Sequence, residues 1–106
     1  MRVLTLCNAD IHRALTPAEC ERAMAGVLAA RARGDAFNPL RTVTVPPGAN
    51  GFIGLMPAYA SAAGSATGAG ATFGLKALCL IPGNPARGLD AHQGTVMLYD
   101  GDTGMP

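Results

Sequence analysis

Tryptophan is absent from this 106-residue chain, and only three Phe and two Tyr supply aromatic rings. Charged residues are also scarce, at 14% against the ~25% of an ordinary soluble domain. The basic side chains are scattered and form no stripe; with so few aromatics to stack on bases, nucleic acid is excluded as a partner. No apolar run approaches the ~18 residues of a membrane-spanning helix, and Val3–Leu6 is too short for the core of a secretion signal. Cys7, Cys20 and Cys79 are odd in number, widely spaced and without a CxxC pair, so neither a disulfide framework nor a thiolate metal site is indicated. His12 and His92 stand apart from any HExxH or Cys/His cluster, and no serine sits in a GxSxG setting. The cytoplasm is the simplest expected location.

Large aliphatic side chains are sparse as well. Leu, Ile, Val and Phe together lie near the ~20% level below which chains tend to disorder. A net charge of only +1 argues against disorder, and alanine accounts for much of the 49% apolar content. The expectation is one folded segment with a thin core that draws stability from a second copy or another domain.

Local signals give an α+β reading. Arg2–Leu6 reads as a short opening strand, and Asn8 as the N-cap of a helical turn. Thr16-Pro17-Ala18-Glu19 matches a capping box with proline at the first helical position. A helix is therefore expected over Ala18–Arg33, closed by Gly34. Leu40–Val45 and Phe52–Met56 flank a turn rich in Pro and Gly, which reads as a hairpin with a longer loop. Ser61–Ala71 is almost wholly Ala, Gly, Ser and Thr, and reads as a flexible loop or insertion. Thr72–Ile81 and Thr95–Tyr99 are further strands, and the turn Asp100–Gly104 calls for a partner strand that the sequence does not supply. An arm missing from that hairpin leaves an unpaired edge, as in a chain cut from something longer.

Lys76 is the single lysine. By period-2 alternation it shares a face with Gly74, Leu78 and Leu80, while Phe73, Leu75, Ala77 and Cys79 point the other way. Apolar residues on both faces predict a strand covered on both sides and a partly buried ammonium, which needs an anion or a task. The plainer alternative is an edge lysine with its head in water. Arg41, at a strand start with Val43 and Val45, offers a fork that fits a carboxylate, or is simply a surface arginine. Gly68–Gly74 lacks the preceding strand of a dinucleotide loop and has Phe73 in the third glycine position. Arg87, in a Pro/Gly/Asn turn, faces either a phosphate or water.

In series, Arg41-Thr42-Val43, Leu55-Met56-Pro57-Ala58-Tyr59, Gly74-Leu75-Lys76, Pro82-Gly83-Asn84-Pro85-Ala86-Arg87-Gly88-Leu89, Gln93-Gly94 and Asp100–Gly104 resemble the ornithine cyclodeaminase/mu-crystallin family. The resemblance covers residues 1–106. It implies part of a substrate-binding and dimerisation domain: a helix packed on a mostly antiparallel sheet that joins a dimer interface, with the family's Rossmann domain absent. It implies that Arg41 clamps a substrate α-carboxylate, that Lys76 bonds that carboxylate and the reacting Cα region, and that Met56 lines the pocket. Full-length relatives use NAD or NADP. This segment would bind neither alone, because the nucleotide domain and the acidic proton donor fall beyond Pro106. The implied ligand is a small amino acid or cyclic imino acid, and the implied reaction is L-ornithine to L-proline plus ammonia or a related oxidoreduction. A mu-crystallin-like binding dimer without turnover is the rival. Two departures stand out. The Ala/Gly stretch before Lys76 is long, and Ala91-His92 replaces the Thr that many relatives have before Gln-Gly.

Overall fold

The helix expected from its capping box forms where the chemistry asks for it. In the computed structural model, which describes residues 1–65 and 68–106, α2 spans Pro17–Arg33. The Thr16 side chain accepts from the Glu19 amide at 3.3 Å, and the Glu19 carboxylate accepts from the Thr16 amide at 2.7 Å. Gly34, at φ 87°, ends the helix in the left-handed region that glycine enters without steric cost.

The preceding helix, α1, spans Asn8–Ala14, and its N-cap is Cys7 rather than Asn8. The Asp10 carboxylate accepts from the Cys7 amide at 2.9 Å, which fixes the start one residue earlier than expected. Residues 2–6 do not form the expected strand. They are β-branched and apolar enough, but a strand exists only where a ladder partner stands beside it, and the described sheet offers none.

Both carboxylates in these boxes are held below their ordinary range. For Glu19 the Thr16 hydroxyl is the main cause, and for Asp10 the Cys7 amide is. A carboxyl that is more acidic folded than unfolded stabilises the fold at neutral pH; the contribution fades as pH falls through the carboxylate range, about pH 4. The 222 nm signal should therefore weaken on acidification below about pH 4. Glu19→Gln, which keeps the capping geometry without the titration, should remove the α2 share of that loss, as circular dichroism across pH would register.

The sheet is antiparallel throughout, with strands β1 (Ala36–Phe37), β2 (Thr42–Thr44), β3 (Phe52–Ala60), β4 (Thr72–Leu80) and β5 (His92–Asp100). Its order is β1-β3-β4-β5, and β2 pairs with the opposite end of the β3 edge that β1 occupies. β3 and β4 pair over their full nine residues, from Phe52↔Leu80 to Ala60↔Thr72. β5 continues the ladder from Leu80↔His92 to Thr72↔Asp100. α2 packs at the β1 end, where Ala30 is 1% exposed, and Asp35 receives the Ser61 amide on its carbonyl at 2.9 Å. The expected loop after β3 holds a short 3-10 turn, Ala62–Gly64, closed by the Ser61 side chain accepting from the Gly64 amide. Ala66 and Thr67 of that expected loop lie outside the described residues. After β5 the chain bends at Asp100, whose carboxylate accepts from the Thr103 hydroxyl and from the amides of Thr103 and Asp102. The Asp100 amide then donates to the Met105 carbonyl at 2.8 Å, which closes the turn.

The core is thin, as the composition implied. Among the described residues only Ala30 and Leu78 are buried hydrophobics, while Ile53, Leu55, Phe73, Val96, Met97 and Leu98 lie exposed on the sheet. The accessible surface is 8030 Å², against about 5,500 Å² for a self-contained globule of 10.7 kDa. The radius of gyration, 15.9 Å, exceeds the ~13 Å of a compact domain of this length. No element among the described residues closes either face of the sheet. No helix among the described residues is long and apolar enough to cross a membrane.

Candidate functional site

Strand pairing brings the expected residues together. Met56 of β3 stands directly opposite Lys76 of β4, which stands opposite Val96 of β5. Directly paired residues project from the same face of a sheet, so these three side chains share one surface. Arg41 immediately precedes β2, two residues before Val43, which pairs with Gly54 on that same surface. Arg41, Met56 and Lys76 line one hollow of about 200 Å³, together with Phe52, Leu78 and His92. A second hollow, of about 360 Å³, lies on the β5 side of Lys76 and is lined by Leu78, His92, Gly94 and Val96.

These hollows exist because of which side chains are missing. Gly54 and Gly94 flank Leu78 on its two neighbouring strands, so the buried leucine forms a floor with no wall of its own height on either side. The two glycines differ in what they tolerate. A Cβ on Gly54 would stand 3.8 Å from its nearest neighbour, ordinary contact. A Cβ on Gly94 would fall 2.4 Å from the Ala77 carbonyl oxygen and 2.8 Å from the Leu78 Cβ. Gly94→Ala should thus cost about 1–3 kcal/mol by forcing the β4–β5 ladder apart. Gly54→Val should leave the melting temperature unchanged or slightly raised, because valine suits a strand better than glycine, while it fills the hollow and weakens ligand binding. Thermal melts of the two variants, paired with ligand titrations, check both outcomes.

Lys76 is exposed, which corrects the expectation of partial burial. The expectation assumed cover on both faces of β4, and in this chain neither face has it. Among the described residues the ion pairs are Arg13–Asp10 and Arg33–Asp35, while Arg31 donates to Asn38. Arg41 and Lys76 take part in neither pair, and no carboxylate lines either hollow. Two cations beside an apolar floor of Leu78, Met56 and Phe52 can hold a small organic acid, its carboxylate on the cations and its carbon skeleton on the floor.

Arg87 falls in the short 3-10 turn Pro85–Arg87, exposed and lining neither hollow. His12 lies on α1 and likewise lines neither hollow. Gly68–Ala71 leads into β4 rather than into a helix, in keeping with rejection of a dinucleotide loop. Among the described residues no three His, Cys, Asp or Glu side chains converge as a metal site.

Sequence reasoning missed His92 as a site residue. It placed the start of the last strand at Thr95, whereas β5 begins at His92. Counting back by twos from Val96, the partner of Lys76, puts His92 on the Lys76 face.

Comparison with known proteins assigns the fold to a family. The family model for the ornithine cyclodeaminase/mu-crystallin family matches residues 2–106. No curated protein gives a significant match. Among solved structures, the Δ1-pyrroline-2-carboxylate reductase of Thermococcus litoralis, in complex with NADH and L-proline, superposes with a TM-score of 0.77 at 28% identity. The iminosuccinate reductase of Paracoccus denitrificans, in complex with NAD+, gives 0.74 at 28% identity. Each comparison covers 92% of this chain and 28% of the other protein. An archaeal alanine dehydrogenase dimer with bound NAD shares the fold, with a TM-score of 0.77 at 23% identity over 93% of this chain and 28% of its own. The chain thus spans little more than a quarter of the length of these solved proteins.

Proposed function

Since the chain belongs to the ornithine cyclodeaminase/mu-crystallin family, we propose that it is the substrate-binding part of an NAD(P)-dependent enzyme acting at the α-carbon of a small amino or imino acid. The observation that carries this reading is the convergence of Arg41, Met56 and Lys76 on one hollow. In it, Arg41 clamps the α-carboxylate with its two-pronged guanidinium. Lys76 donates to the same carboxylate from the next strand but one and reaches over the α-carbon. Met56, directly opposite Lys76, packs against that carbon and fixes which side of it faces away from the sheet. Holding the acid at its carboxylate leaves the α-carbon presented outward, so this chain contributes binding and orientation.

A nicotinamide supplies or accepts the hydride in such chemistry. The described residues contain no strand, glycine turn and α-helix in succession that would cradle a dinucleotide, so the chain alone is expected to bind neither NAD nor NADP. Conversion of L-ornithine to L-proline and ammonia is one form of the reading, and reduction of a cyclic imine such as pyrroline-2-carboxylate is another. The pyrroline-2-carboxylate and iminosuccinate reductases among the similar structures favour the broader oxidoreductase form.

The reading includes a homodimer in the cytoplasm. The Arg41–Lys76 face has to admit substrate, so the second copy belongs on the opposite face, where Ile53, Leu55, Phe73 and Met97 lie exposed. The test is an assay of the complete protein that carries this chain, with L-ornithine or L-alanine and NAD+ or NADP+, and with pyrroline-2-carboxylate and the reduced cofactors. Turnover of at least one of these that is sensitive to Arg41→Ala supports the reading. Saturable binding of such acids without turnover would favour a mu-crystallin-like binding protein, and neither binding nor turnover would refute both.

A further inference from the structure

Among the described residues, His92 is the one side chain capable of donating a hydrogen bond that, besides Lys76, lines both hollows. Its position is built from below. Asn84, only 6% exposed, donates from its side-chain amide to the Asp90 carbonyl at 3.0 Å, and the Gln93 side chain donates to the same oxygen at 3.1 Å. The Ile81 amide donates to the Ala91 carbonyl at 2.9 Å, extending the ladder one step past Leu80↔His92. The backbone on both sides of His92 is therefore tied down, and His92 lines the hollow from the same strand as Val96, the partner of Lys76.

The chemistry around that ring is one-sided. Arginine and lysine can only donate, and an imidazole has a donor in either protonation state. No carboxylate among the described residues lines either hollow. A ligand whose α-carboxylate occupies Arg41 and Lys76 extends its side chain along a floor of Leu78 toward His92. A side-chain ammonium reaching that end would find donors and cations and no anion to pair with, whereas an acceptor would find a partner.

We propose that His92 is a specificity-determining residue that reads the substrate side chain, and that the site takes an amino or imino acid bearing a second carboxylate in preference to one bearing a side-chain amine. The proposal rests on the reading that Arg41 and Lys76 hold the α-carboxylate.

The test compares L-aspartate, L-alanine and L-ornithine with NAD+ on the complete protein that carries this chain. The expected order places aspartate first, by about tenfold in kcat/KM over either competitor. His92→Ala should lower the aspartate-to-alanine ratio of kcat/KM by about tenfold, chiefly through KM for aspartate. His92→Gln, which keeps a donor, should recover part of the ratio. The proposal is overturned if wild type prefers ornithine or alanine, or if His92→Ala scales all three substrates alike, as a purely structural role would. If Lys76→Met lowers kcat/KM for every substrate while the His92 variants leave the ratio unmoved, only the His92 assignment fails. If none of the three is bound or turned over, and Arg41→Ala changes nothing, the carboxylate clamp fails and takes this proposal with it.

Discussion

Replacing Lys76 with methionine should lower kcat/KM for the preferred substrate by roughly 10- to 150-fold. That range follows from the ~1.5–3 kcal/mol that a hydrogen bond to a charged group contributes. Methionine retains most of the apolar stem, so packing against Met56 and Val96 survives and the loss reports on the ammonium alone. Arg41→Ala should lose a similar amount, and Arg41→Lys should recover little, because a single ammonium does not reproduce two parallel donors. If both groups hold one carboxylate, the double variant loses less than the product of the single losses. Steady-state kinetics on the four proteins give that coupling directly. Independent, multiplicative losses would mean that the two side chains serve different parts of the ligand.

The thermal stability of the chain should depend on its concentration. A homodimer that unfolds to separated chains gains about 2.7 kcal/mol for each hundredfold rise in concentration. Spread over an unfolding entropy of about 2.1 cal/mol/K per residue for two copies, this moves Tm by about 6 °C. The surface in excess of a self-contained globule, about 2,500 Å² per chain, is of the order that large permanent interfaces bury. Phe73→Asp, on the face opposite the lysine, should abolish the concentration dependence and lower Tm, since it would bury an unpaired carboxylate in the interface. Phe73 already leans on Tyr59 across the strands, with ring centroids 4.8 Å apart, so some loss of Tm comes from within one chain. Sedimentation velocity separates the two contributions. A monomer with an unchanged Tm at every concentration would count against a dimer built on the sheet.

How much of this was legible beforehand varies with how local the cause is. The helix over Pro17–Arg33 could be read to within a residue because Thr16, Pro17, Glu19 and Gly34 each act on their immediate neighbours. The hairpin of β2 and β3 was legible for the same reason, through the turn between them. The opening of β5 was not, since His92-Gln93-Gly94 has no strand character of its own and is extended because β4 lies beside it. The state of Lys76 was misjudged in the opposite direction: apolar neighbours on both faces of its strand speak of cover, but no element among the described residues supplies it. The role of Met56, and the choice of a carboxylate clamp over a surface arginine for Arg41, came from likeness to a family, and register then showed how residues far apart in sequence come to share a hollow.

The unequal glycines beside Leu78 give the site a direction in which it can change. On the β5 side, any side chain at position 94 strikes main chain, so that wall is locked. On the β3 side, a Cβ at position 54 would rest in ordinary contact, 3.8 Å from the Leu78 side chain, so a small apolar substitution there can narrow the chamber while the strands stay in place. Substrate range in descendants of this sequence can therefore drift through one codon in β3, while the cations that grip the acid stay where they are.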